Sequence, residues 1–189
     1  PAFAIMNPEL TYTLPKYQVG CGIVDIMMHT LERYFSVGED TPLSDRIAEG
    51  VLKTVIPAGK AALENPNDYE VRKQLAIAQY IAGMSFTNVG LGIVHSMAHP
   101  LSAFYDIPHG VANALILPYV LEFNADVCKE KIIELSYAFD KDFDSKGDWQ
   151  KAAKHCCEII SSFNKAAGLP EVLSEIGVKE EDYDALAQS

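Results

Sequence analysis

The chain is predicted to be all-α, a bundle of several helices, and three observations predict it. Apolar residues recur at three- and four-residue steps in one segment after another. Strand signals are nearly absent after residue 13. Proline, glycine and Asn-Asp turns divide the chain into stretches of helical length, with no internal repeat and no low-complexity segment.

The opening PAFAIM is a short apolar run with no second strand to pair with, and a lone strand is unstable. Residues 1–14 therefore read as a strand or linker left from a missing N-terminal domain, and residues 15–189 as one helical domain. The chain lacks an initiator Met, and its final EEDYDALAQS is helical in pattern but stops without a capping or breaking residue. Both ends thus read as cut from a longer protein.

Between them, a first helix covers Tyr17 to Phe35 after Pro15, with Ile23, Ile26, Met27, Leu31 and Tyr34 at helical steps. Thr41 and Ser44 are candidate caps for a second, running to Leu63 with a kink or break expected at Pro57. The turn Asn65-Pro66-Asn67-Asp68 starts a third over Tyr69 to Phe86. His95 to Tyr105 and His109 to Phe123 follow, with Pro100 and Pro118 inside them. Asp126 to Phe139 and Trp149 to Ala167 are amphipathic helices split by the polar loop DKDFDSKGD, and Gly168-Leu169-Pro170 stops the latter.

With 189 residues, 49% of them apolar, the chain can bury a real core and is not expected to be disordered. Its formal net charge of −11 repels phosphate backbones and anionic lipid, so neither nucleic acid nor membrane is an expected partner. Apolar runs are interrupted well short of the ~20 residues of a bilayer span. No signal or transit segment opens the chain, which is expected to be cytoplasmic. Cys21, Cys128, Cys156 and Cys157 show no CxxC spacing and read as reduced thiols.

Four of the five histidines fall into two short motifs, CGIVDIMMHTLERY and GLGIVHSMAHPLSAFYDIPHGVAN. Asp25 and His29 stand at i and i+4, on one face of a helix, where a carboxylate and an imidazole can reach a common ion. His95 and His99 share that spacing, and Pro108 and Gly110 flank His109 in what reads as a turn aiming its ring. A lone D-x3-H occurs often as a surface pair. Three histidines within fifteen residues of an otherwise apolar or small segment, poor in hydrogen-bond partners, favour a divalent metal site instead. Three imidazoles and one carboxylate suit Fe²⁺, Zn²⁺ or related ions and exclude an all-thiolate site.

The five candidates leave room for four ligands and an unligated histidine able to carry a proton. Spacing leaves open which of His95 and His99 is the ligand, and Pro100 leaves open whether they share a face. GLGI at residues 90–93 is a weak mimic of a phosphate loop, since no strand precedes it. His155, Trp149 and the Cys156-Cys157 pair read as ordinary packing, and Glu180 to Asp184 as a solvated helix start.

The stretches GIVDIMMHTLERYF and SFTNVGLGIVHSMAHPLSAFYDIPHGVANALILPYVLEFN resemble the iron-containing (group III) alcohol dehydrogenase family, in its C-terminal helical metal-binding domain, with looser similarity along the whole chain. The resemblance implies a dehydroquinate-synthase-like bundle in which Asp25, His29, His95 and His109 hold one Fe²⁺, or Zn²⁺ in some members. It makes His99 a catalytic residue beside the nicotinamide and substrate rather than a ligand, and sets Phe86 in the same pocket. Asn7-Pro8 stands where many members have Asp-Pro. The family's N-terminal dinucleotide-binding domain, which sets the choice of NAD or NADP, and its last helices are not in the sequence.

The implied activity of the full enzyme, expected as a homodimer, is interconversion of small primary alcohols (butanol, ethanol or diol type) and aldehydes, the ion polarising the oxygen while hydride passes to or from the nicotinamide. This part alone is expected to be inactive. Ile93, Met97 and Phe104 read as core, or else as an apolar wall suited to small unbranched alcohols. The alternatives are a glycerol-dehydrogenase-like or dehydroquinate-synthase-like metal enzyme, or a non-catalytic helical interaction module with buried histidines. A phosphohydrolase of the HD type would need a His-Asp dipeptide, which is absent.

Overall fold

The first helix, α1 (Lys16–Phe35), is buried on nearly every side. Val24, Met27, Met28, Leu31 and Tyr34 are each at most 1% exposed. A helix apolar all round belongs inside a bundle rather than on its surface, and α1 packs against four others: α2 (Pro42–Glu64), α3 (Tyr69–Phe86), α5 (His109–Asn124) and α7 (Trp149–Ala167). Apart from its end residues Lys16, Tyr17 and Phe35, the less buried positions of α1 are Gln18, Gly22, Asp25, His29 and Glu32. They alternate in steps of four and three, which lays them in one stripe along the helix.

The computed structural model describes residues 2–36, 41–86 and 92–188. Its remaining helices are α4 (Ile93–Tyr105), α6 (Lys129–Phe139) and α8 (Tyr183–Ala187), with 3-10 turns at Pro8–Thr11, Ala125–Val127, Leu173–Ile176 and Glu180–Asp182. No strand occurs among the described residues, so the fold is all-α as predicted. Residues 2–7 have no regular structure, with Phe3 and Ile5 78% and 82% exposed. No described helix is long and apolar enough to cross a membrane.

The expected break at Pro57 does not occur. α2 runs through it to Glu64, because Val55, Ile56, Ala58 and Gly59 around the proline are buried against neighbouring helices. Packing there outweighs the lost backbone hydrogen bond. α4 likewise continues through Pro100, and α5 through Pro118. At α7 the local signals decide the ends: Asp148 Oδ1 accepts from the amides of Gln150 (3.0 Å) and Lys151 (3.2 Å), and Gly168 closes the helix. The four cysteines are free.

α5 begins where it crosses α1, and Gly110 is the point of contact. A Cβ there would lie 2.6 Å from the carbonyl oxygen and 2.7 Å from the Cβ of Cys21. Backbone cannot retreat as a side-chain tip can. Gly110→Ala should therefore lower the thermal midpoint by several degrees, overpacking costing about 1–3 kcal/mol. Gly50→Ala, on a helical surface with nothing within 4 Å of the new methyl, should leave it unchanged or raise it. A Gly110→Ala protein as stable as the parent would show that α5 can lift off α1.

Candidate metal centre

The stripe on α1 carries two of the predicted residues and faces the three on α4 and α5. His29 stacks on His95 with centroids 5.0 Å apart and planes 12° apart. The His95 and His109 rings lie 5.1 Å apart, His99 and His109 5.5 Å, and His95 and His99 5.9 Å. Asp25 reaches into the same cluster, its Oδ1 3.6 Å from His109 Nε2 and its Oδ2 3.7 Å from His29 Nδ1. Asp25, His29, His95, His99 and His109 are therefore brought to one spot from three helices. His155 is elsewhere, stacked on Phe143 with its Nε2 3.2 Å from Asp140.

Because α4 continues through Pro100, His95 and His99 share a face after all. Packing then separates them: His95 is 1% exposed, whereas His99 stands in the exposed class. His109 is the first residue of α5, after a corner at Asp106, which is in the left-handed region (φ 52°), and Pro108. The turn expected there aims the ring at the cluster. Phe86 ends α3, and its side chain lies outside the described residues, as do Gly90 and Leu91 of the GLGI stretch.

The residues present fit a divalent ion. One donor atom each from Asp25, His95 and His109 lies within 4.8 Å of the others. A tetrahedral ion with bonds of ~2.0–2.2 Å holds its ligand atoms about 3.4 Å apart, so shifts of about an ångström would close the set. His29 falls outside this tightest group, although its ring is stacked on His95. The protonation state of the rings also favours binding. Burial, opposed by Asp25, lowers the His29 and His109 pKa values, and the neighbouring imidazoles lower them further. Both rings are thus biased towards the neutral form that binds metal.

Two residues of the cluster were not among those predicted. Asn113, fully buried, donates from Nδ2 to Asp25 Oδ1 (3.1 Å) and lies 3.1 Å from His109 Nε2. Accepting that N–H requires the lone pair of His109 to be on Nε2. Glu32 holds His95, whose Nδ1 donates to its Oε2 at 2.6 Å. Both could have been found by position. Asn113 is four residues after His109 in the apolar run GVANALILP, and Glu32 is seven after Asp25 on the same stripe.

A cavity of about 340 Å³ between α1 and α3, lined in part by Gln18, Asp25, His29, Gln79 and Gly83, leads to one side of the cluster. Ile93, Met97 and Phe104 do not line it and are not core. They are 50%, 46% and 67% exposed, and the first two border a separate apolar groove with Tyr119 and Phe123. The reading of these residues as core is corrected: they sit on the solvent side of α4, away from its histidines.

Residues 20–189 match the Fe-containing alcohol dehydrogenase family, C-terminal. Lactaldehyde reductase of Escherichia coli K12 is 34% identical over all of this chain and 48% of its own length. NADH-dependent butanol dehydrogenase B of Clostridium acetobutylicum is 37% identical, over all of this chain and 49% of its own. Among solved structures, an alcohol dehydrogenase from Oenococcus oeni superposes with a TM-score of 0.88 at 31% identity, over 96% of this chain and 47% of that one. A 1,3-propanediol oxidoreductase does so with a TM-score of 0.88 at 30% identity, over 96% and 47%. The chain spans about half the length of the curated relatives it matches. It belongs to the Fe-containing alcohol dehydrogenase family and corresponds to the C-terminal part of its members.

Proposed function

We propose that the chain is the metal-binding half of an NAD(P)-dependent alcohol dehydrogenase that interconverts small primary alcohols and aldehydes. The observation that carries this reading is the convergence of a carboxylate and four imidazoles from three helices in a chain of this family. The named activities of the relatives, on lactaldehyde, butanol and 1,3-propanediol, support a short alcohol or diol as the substrate class.

Asp25, His29, His95 and His109 would hold the ion, Fe²⁺ or Zn²⁺. When bound, the ion supplies Lewis acidity towards the alcohol or aldehyde oxygen, and the nicotinamide supplies or accepts the hydride. The chain's own residues do the rest. Asp25 contributes a single negative charge among neutral imidazoles, so the site stays net electrophilic. The cavity beside Asp25 and His29 admits a small molecule between α1 and α3. His99, exposed and 5.5 Å from His109, is suited to take up the hydroxyl proton and pass it to solvent. Phe86, at the end of α3, is proposed to pack the nicotinamide. The cofactor itself would be held mainly by an N-terminal dinucleotide-binding domain, the full enzyme being a homodimer.

Three substitutions in the intact enzyme test the assignment. His95→Ala or His109→Ala should remove bound metal, measured by elemental analysis, and abolish turnover with it. His99→Ala should keep its metal while kcat falls by about 10²-fold and the pH profile shifts. Loss of metal from the His99 variant would mean that the ligand set is wrong.

A further inference from the structure

The start of α4 has no side chain of its own to cap it, since its N-cap is Gly92. The cap comes from α1. Glu32 Oε2 accepts from the Gly92 amide (2.8 Å), and Oε1 accepts from the amides of Val94 (3.0 Å) and His95 (3.2 Å). The same carboxylate accepts a hydrogen bond from His95 Nδ1 at 2.6 Å, with the Glu32 and His95 side chains only 5% and 2% exposed. The approach depends on Gly92, where a Cβ would lie 2.8 Å from Glu32 Oε1.

These four contacts do more than end a helix. Three amides pin both carboxylate oxygens, so the direction in which Oε2 meets the imidazole is set by the backbone of α4. A carboxylate can only accept, which places the His95 proton on Nδ1 and the lone pair on Nε2. A partner of this kind fixes ring orientation and raises ligand basicity. Asp25 and His29 ride on the same helix as Glu32, so the contact that orients His95 also holds α4 in register with them.

We propose that Glu32 is the positioning residue of the metal centre: it locks His95 in the Nδ1–H form with Nε2 presented to the ion, and couples the α1 donors to the α4 donor. The inference rests on the metal reading given above.

Glu32→Gln in the full-length, metal-stripped protein tests it. The amide oxygen can still accept from the Val94 and His95 amides at the Oε1 position, so the fold should persist, while the Gly92 amide loses its acceptor and the thermal midpoint should fall by a few degrees. Its NH₂ donates where Oε2 accepted, which forces His95 to accept at Nδ1 and carry its proton on Nε2. Calorimetric titration with Zn²⁺ should show affinity reduced 10–100-fold. In protein with ¹⁵N-labelled histidine and no metal, the His95 ring signals should switch from the Nδ1–H to the Nε2–H pattern. Wild-type Zn²⁺ affinity or an unchanged ring form in a folded Glu32→Gln protein would overturn the positioning role, leaving Glu32 a cap only. If wild type itself took up no Zn²⁺, the metal reading would fail first and the inference with it.

Discussion

A helix buried on almost all sides cannot carry charged and polar side chains unless other helices satisfy them. That constraint governs the whole arrangement. Burying an unpartnered polar group costs several kcal/mol, and a lone charge costs more. α1 nonetheless carries the nearly buried Glu32, and the partly buried Asp25 and His29, on its one polar stripe. Each is matched from across the seam: Asp25 by Asn113, His29 by the face of His95, Glu32 by the amides and ring at the start of α4. The polar cluster and the packing of α1 against α4 and α5 are therefore one feature.

Electrostatics follows from the same seam. Burial pushes the Glu32 carboxyl upward, but the bonds from the His95 ring and from the Gly92 and His95 amides outweigh it, and its pKa ends below the ordinary glutamate value. The centre then holds the Glu32 carboxylate beside two imidazoles, His29 and His109, biased to neutrality, an assembly that favours a cation. The overall acidity of the chain acts in the same direction at longer range.

Most of the fold was legible in the amino-acid pattern, and the exceptions have physical causes. Tyr69–Phe86 and Trp149–Ala167 have the limits expected of them because local signals mark their ends, Asp68 and Asp148 before them and Gly168 after the second. The helices run on unbroken through Pro57 and Pro100 because a proline's cost is local, while the packing that offsets it comes from residues distant in sequence. His95 and His99 could not be told apart by spacing, since both face the cluster and only burial distinguishes them. Glu32 and Asn113 were passed over because their partners are remote in the chain, 63 residues away for His95 and 88 for Asp25. Side chains whose meaning depends on a distant contact are the hardest to read from order alone.

Every oxygen and nitrogen in the cluster is borne by a helix, none by a free loop. Helices limit how far such a cradle must move to close on an ion. Its mixed oxygen and nitrogen donors suit several first-row metals, whose natural affinity ranking the protein has little means to invert. A donor set of this kind discriminates only weakly among first-row ions, so an ion's abundance would weigh as heavily as its chemistry in filling it.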